Sequence, residues 1–258
     1  MPLSRRFWLS HGLPPLLLAA LLFLVFEYTG LDHASVVPYY GAEGFHWSHQ
    51  HWFVKLFHSY SKIPVALLCL VSAVAAIVCG LRRNWRRYAW PLAYLALGLT
   101  LSTSIIRSFK RASGVLCPFQ LSEFGGTGTY HRLLEAWQLH DPAGQCWPGG
   151  HASTGFCLFA LYFALHWLGR RRAAGYAFAG ALVYGHLLGY TQVMRGQHFL
   201  SHQFWTSVVC WYACLGLYGA MRALAGLRLV AFKQDAAGEQ EGQLAARLGL
   251  VEEVDTGQ

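Results

Sequence analysis

Charge is scarce in this chain. Only 12% of its 258 residues are Asp, Glu, Lys or Arg, and 55% are hydrophobic. With a positive mean hydropathy, that balance excludes an ordinary soluble domain and points to a membrane protein. No convincing small-x-small cleavage site accompanies the first apolar run, "LPPLLLAALLFLVFEYTG". The run therefore reads as a retained span rather than a cleaved leader, despite Arg5 and Arg6 ahead of it. No internal repeat is visible. The stretch "HWSHQHWFVKLFHSYSK" has no carboxylate or thiol close by, so His46, His49, His51 and His58 suit no standard metal site.

What is present is apolar sequence in span-sized blocks. A membrane-crossing helix needs about 20 mainly apolar residues. Six stretches qualify, at roughly 12–30, 63–81, 88–106, 152–169, 173–191 and 203–222. The expected fold is all-α, a polytopic membrane protein built as a six-transmembrane-helix bundle. Six crossings leave both termini on one side. That side carries Arg5, Arg6, "RRNWRR" at 82–87, "RRR" at 170–172, Arg222, Arg228, Lys233 and Arg247, which is 13 of the 20 Lys+Arg. Lys/Arg-rich short loops stay in the cytoplasm, so both termini are expected inside. The net charge of +8 then follows from topology and needs no nucleic acid. Residues 1–225 are expected to form the membrane domain. Residues 226–258 would be a cytoplasmic tail, polar from about 234, partly disordered, with a weak helical patch.

Three segments face outward. The first, about 31–62, reads as an interfacial amphipathic helix with aromatic anchors. The second, about 107–151, carries several glycines and the pair Cys117 and Cys146. In an oxidising compartment this pair predicts a disulfide. It would close a loop of about 30 residues and constrain the unfolded chain by roughly 3–4 kcal/mol. The other five cysteines lie in apolar stretches, as small buried hydrophobes do. The third segment is the short turn before His198.

Polar residues from three places meet at one depth. Lys110 ends the third span. "PGGH" (148–151) opens the fourth, and Arg195, His198 and His202 sit where the fifth gives way to the sixth. The spacing i, i+3, i+7 puts the last three on one helical stripe, and Gln192 extends it by a turn. Singly, each has a plain explanation: a snorkelling lysine, a Gly-Gly turn, a capping histidine. Together they form a functional candidate, because ionisable groups at membrane depth are costly. Lys110 and Arg195 can pair with phosphate oxygens. The N–H groups of Gly149 and Gly150, at a helix start, can point at an anion. One histidine can attack phosphorus and another can protonate the leaving oxygen. The set reads as metal-free phosphoryl transfer from a lipid-borne phosphate.

These segments resemble the type-2 phosphatidic acid phosphatase superfamily of integral-membrane lipid phosphatases, whose signature runs K-x6-R-P, P-S-G-H, S-R-x5-H-x3-D. Here "KRASGVLCP" keeps Lys110 and Pro118 with Cys117 in the arginine's place. "PGGH" keeps Pro148, Gly150 and His151, with Gly149 for serine. "TQVMRGQHFLSH" keeps His198, with Thr191 and Gln192 for Ser-Arg and His202 for Asp. The resemblance covers about 60–222. It implies His198 as nucleophile through a phosphohistidine, His151 as general acid and Lys110 on the phosphoryl oxygens, with no metal or other cofactor. Two family arginines are absent, at 117 and 192. Arg195 is the expected replacement, and Arg107, Arg111 and Arg132 are weaker candidates. His202 would orient His198 without a carboxylate's charge. The phosphate set is thus Lys110, Arg195, Gly149, Gly150 and Gln192.

The expected partners are the bilayer and a lipid phosphate or pyrophosphate; self-association stays open. The expected location is a cell inner membrane, with the site facing the periplasm or exterior. Undecaprenyl pyrophosphate, phosphatidylglycerophosphate, phosphatidate and lipid A phosphates all fit such a site, as does transfer to a second lipid in place of water. Two rival readings compete: a metal site in which His198 and His202 join His151 or His131 on zinc, and a non-catalytic lipid-binding protein.

Overall fold

The computed structural model describes residues 3–139 and 141–247. Helix α1 (Arg5–Tyr28) starts at Ser4, whose hydroxyl accepts the Phe7 N–H. It is followed by α2 (Leu31–Val36), a small antiparallel hairpin of β1 (Tyr40–Gly41) and β2 (Gly44–Phe45), α3 (His46–His49) and α4 (His51–Val54). A π-helical turn, Lys55–Ser59, leads toward α5 (Ile63–Leu81) and then α6 (Arg86–Ala112). A long loop holds α7 (Leu133–Leu139). The chain then forms α8 (Ala152–Phe156), α9 (Phe159–Trp167), α10 (Arg171–Met194) and α11 (Leu200–Arg247).

Four helical stretches are long and apolar enough to cross a membrane: Arg5–Tyr28, His51–Leu81, Arg83–Ala112 and Leu200–Arg228. They contain four of the six expected spans. The stretch 152–169 is broken between α8 and α9, and its apolar part, Ala152–Trp167, is shorter than the others. Helix α10 has the length, at 24 residues, but polar residues and glycines dilute it. On α1 and α5, leucines and valines such as Leu17, Leu21, Leu70 and Val71 stay exposed. An apolar face left outward on a helical bundle is what hydrocarbon contact requires.

Glycines where α8 meets α10 serve close packing. A Cβ placed on Gly155 would lie 2.3 Å from the Gly185 nitrogen, and one on Gly185 would lie 2.4 Å from the Phe156 ring. Small residues let the two backbones touch where no hydrophobic force drives helices together. Gly155→Val is therefore expected to force α8 off α10 and cost at least about 1–3 kcal/mol by overpacking. Thermal unfolding of the purified protein in detergent would read this. Gly216→Ala, whose new Cβ meets nothing within 4 Å, should leave the midpoint nearly unmoved. Equal midpoints for the two variants would refute this packing argument.

The core beneath is aromatic. Tyr94 of α6, Phe156 of α8, Phe159 and Phe163 of α9, and Trp211 and Tyr218 of α11 are buried against one another. A second cluster, Val36, Phe45, Leu121, Phe124, Val193 and Phe199, ties the segments 31–62 and 113–151 to the adjoining ends of α10 and α11. Asp32 binds α11 at its start, accepting the Ser201 N–H at 2.7 Å and the Ser201 hydroxyl. The segment 31–62 thus differs from the single interfacial helix expected. It is a series of short pieces folded onto the bundle end, because Phe45 and Phe53 find buried places there and Gly30, Pro38, Gly41 and Gly44 interrupt any long helix. The tail also differs: α11 continues to Arg247. The expectation for 248–258 lies outside the described residues.

Candidate active site

Three chain segments deliver the polar residues. Lys110 sits in the last turn of α6, and Gly149, Gly150 and His151 lead into α8. Arg195 caps the C-terminal end of α10, while His198 and His202 flank the first turn of α11. Backbone bonds lock the second segment to the third. The Gly149 N–H donates to the His202 carbonyl at 3.3 Å. The Thr206 hydroxyl donates to that carbonyl at 2.7 Å and lies 3.2 Å from the Gly149 carbonyl oxygen. Lys110 runs beside Gly150: a Cβ there would meet its Cδ at 3.8 Å and its Nζ at 3.9 Å.

These contacts revise two expected roles. The Gly149 N–H is committed to His202, so it is not free for an anion. The Gly150 N–H has no acceptor among the described residues. Gln192 is buried, its Oε1 accepts from Nη1 of Arg195 at 2.9 Å, and its Nε2 donates to the Thr191 hydroxyl at 3.2 Å. The amide therefore serves the site by holding the guanidinium, not by meeting phosphate. Arg195 stands one turn on from the position that holds arginine in the resembled motif. Of the weaker candidates, Arg107 lines the neighbouring groove, while Arg111 and Arg132 are exposed and do not line it.

His198 and His202 are both buried, with their Nδ1 atoms 3.3 Å apart. The Cys146 sulfur lies 3.4 Å from the His198 Nδ1. Cys146 is joined to Cys117 in a disulfide, so the cysteine standing where the resembled motif has arginine is part of a crosslink. Burial, and then the nearby Lys110, His202 and His151, push the His198 imidazole well below its usual range. It is neutral at physiological pH and carries a lone pair on one nitrogen.

His151 is in a similar state. Burial comes first, then the charges of His58, Lys62, Lys110 and Arg195, and together they lower it to about 3. Its Nε2 is buried without a hydrogen-bond partner, and so is the Nε of Arg195. Buried polar atoms are ordinarily paired. Two orphans at one cationic site mark where an anion would complete the bonding.

Two residues at this site were not assigned to it from the sequence, where His58 was weighed only as a metal ligand. The His58 ring packs on the His151 ring at a centroid distance of 4.1 Å, and Lys62 is close enough to act on His151. They are four residues apart, one helical turn, and Lys62 directly precedes α5. Depth alone could have flagged them, since Lys62 and Lys110 end facing spans. A groove of about 480 Å³ opens between α5 and α6 beside this cluster. Lys62, Arg107 and Lys110 lie along it, with apolar Val65, Leu99 and Ile106.

The expected zinc alternatives do not assemble. His131 pairs with Glu135 on the outer loop at 3.1 Å. Among the described residues, the third ligand atom near His198 and His202 is the Cys146 sulfur, not a nitrogen of His151 or His131. In a disulfide that sulfur is not a thiolate and holds no zinc.

Residues 88–225 match the family model described as the PAP2 superfamily. No curated protein and no solved structure matches the chain.

Proposed function

The chain belongs to the PAP2 superfamily, whose members are phosphatases, and from that premise we propose that it is a metal-independent lipid phosphatase acting through a phosphohistidine. Phosphatase chemistry on phosphate esters is the family's activity. The observation that carries the finer reading is the convergence of a buried histidine pair with Lys110, Arg195, the free Gly150 N–H and the unpartnered Nε2 of His151.

The proposed reaction follows from the nitrogen assignments. The Nδ1 of His198 faces the Nδ1 of His202. If His202 keeps its proton on Nε2, its Nδ1 accepts the His198 Nδ1–H, and the Nε2 of His198 carries the lone pair. That nitrogen attacks phosphorus. The bond to the leaving oxygen breaks, and His151 supplies the proton that oxygen takes up. Lys110, Arg195 and the Gly150 N–H hold the phosphoryl oxygens. Water then attacks the phosphohistidine, His151 takes back a proton, and phosphate leaves. Burial, and then the surrounding cations, keep His151 neutral. The negative charge of a bound phosphate opposes those cations and favours the imidazolium that acts as acid.

The lipid part of the reading rests on the groove. It mixes apolar Val65, Ala66, Leu99 and Ile106 with hydroxyl side chains, carries Lys62, Arg107 and Lys110, and opens beside α5, whose outward face is leucine and valine. A phosphate would sit against these cations with its hydrocarbon between α5 and α6. We read the bundle as six crossings with both termini in the cytoplasm and the site facing outward. The Lys/Arg distribution and the crosslink in the outer loop support that orientation.

The test is phosphate release by the pure protein in detergent from phosphatidate, phosphatidylglycerophosphate, undecaprenyl pyrophosphate and lipid A, with and without a chelator. At least one lipid should turn over, at a rate the chelator does not change. Loss of all release on chelation would overturn the metal-free mechanism. Binding of all four lipids without any release would favour a non-catalytic lipid-binding protein.

A further inference from the structure

The Cys146–His198–His202 cluster holds more geometry than the phosphatase reaction uses. All three residues are buried, and their ligand atoms lie within 4.8 Å of one another. Zinc binds histidine nitrogen at about 2.0–2.1 Å and thiolate sulfur at about 2.3 Å in tetrahedral array. Those lengths put two nitrogens about 3.3 Å apart and a nitrogen and a sulfur about 3.6 Å apart. The two Nδ1 atoms are 3.3 Å apart, and the Cys146 sulfur is 3.4 Å from the Nδ1 of His198. These two separations match two edges of a zinc tetrahedron, and the bond from Cys146 to Cys117 keeps the sulfur from serving as a ligand.

We propose that Cys146, His198 and His202 form a latent zinc site that the Cys117–Cys146 disulfide keeps closed. A dithiol opens it: the dithiol becomes a disulfide, and Cys117 and Cys146 become thiols. Zinc then displaces the Cys146 thiol proton and takes one nitrogen from each histidine. Three protein ligands leave a fourth position for water. The two rings already face each other through their Nδ1 atoms, and His198 has only to move its proton from Nδ1 to Nε2.

Zinc at this site silences the enzyme. An imidazole that gives its Nδ1 lone pair to a metal carries its proton on Nε2. His198 would then have no lone pair left for phosphorus. This second consequence rests on the assignment of His198 as nucleophile; zinc capture does not. The crosslink therefore has a role beyond stapling the loop: it keeps a thiolate away from the attacking residue.

The experiment uses the full chain in detergent, reduced with a phosphine, exchanged into metal-free buffer and given zinc, with bound metal measured after desalting. Oxidised wild type should hold no zinc beyond background, and reduced wild type one ion per chain. Cys117→Ser, which leaves the Cys146 thiol without its partner, should hold one ion with no reductant. Cys117→Ser/Cys146→Ser gives the background from the buried cysteines elsewhere. Cobalt in place of zinc should give a sulfur-to-metal charge-transfer band in Cys117→Ser and not in the double variant. If reduced wild type and Cys117→Ser take up no more metal than the double variant, the proposal is overturned, and the phosphatase reading is untouched. With zinc bound, phosphate release by Cys117→Ser should fall at least about tenfold and return on chelation. Stoichiometric zinc with full activity would uphold the site and overturn the attack by His198.

Discussion

His198→Ala is expected to lower phosphate release by at least about a thousandfold while the protein is still expressed and purified in folded form. The magnitude follows from the chemistry. The lone pair that attacks phosphorus has no substitute nearby, because the other buried imidazole, His202, faces His198 rather than an open space. Removing a covalent nucleophile forces water to attack directly, in a pocket arranged for a different angle. A trapping experiment separates this from general damage. With a radiolabelled phosphate substrate, wild type should yield an acid-labile, base-stable protein label, and His198→Ala should yield none. A His198→Ala protein with full turnover would remove the nucleophile assignment.

His151→Ala is expected to cost about a hundred- to ten-thousandfold in turnover of lipid substrates, the range for a lost general acid. The size of the loss should depend on the leaving group. An alkoxide leaving a lipid phosphomonoester needs a proton, whereas a nitrophenolate does not. The same variant should therefore lose far less against a nitrophenyl phosphate. A merely structural role would depress both substrates alike. The buried, unpartnered Nε2 of His151, and the burial and neighbouring cations that lower the ring to about 3, describe a group that a bound anion would help to protonate. An equal loss on both substrates would transfer the role of acid to another group.

The site was legible in the sequence where it depends on helix ends. Lys110, His151 and His198 each sit at the same end of an apolar run, and depth is read directly from run length. The helical stripe expected for Gln192, Arg195, His198 and His202 does not form: α10 ends at Met194 and α11 starts at Leu200, so Arg195 and His198 stand in the turn between them, where Gly196 takes a positive φ. What escaped was set by contacts between distant segments. His58 reaches His151 only because the pieces between Leu31 and Lys62 fold back onto the bundle end, where Phe45 packs with Phe124 and Phe199. No local period announces that. Gln192 looked like a ligand because it occupies an arginine's place. Its amide turns out to be spent on Arg195, a choice that depends on where the next turn ends. The broken helix at Cys157 and Leu158 was equally hidden, since an apolar run reads alike whether or not it is continuous.

The Asp32 carboxylate bonded to Ser201 bears on how little of this chain can work alone. A polypeptide trimmed to the stretch that matches the family, 88–225, would keep Lys110, His151, His198 and His202. It would lose the clasp on the opening turn of α11, along with His58 and Lys62 at the rim. The ancestral motifs in this molecule are thus leaning on an N-terminal third that carries none of them, and a minimal fragment cut by homology should be inert through misaligned parts rather than missing ones.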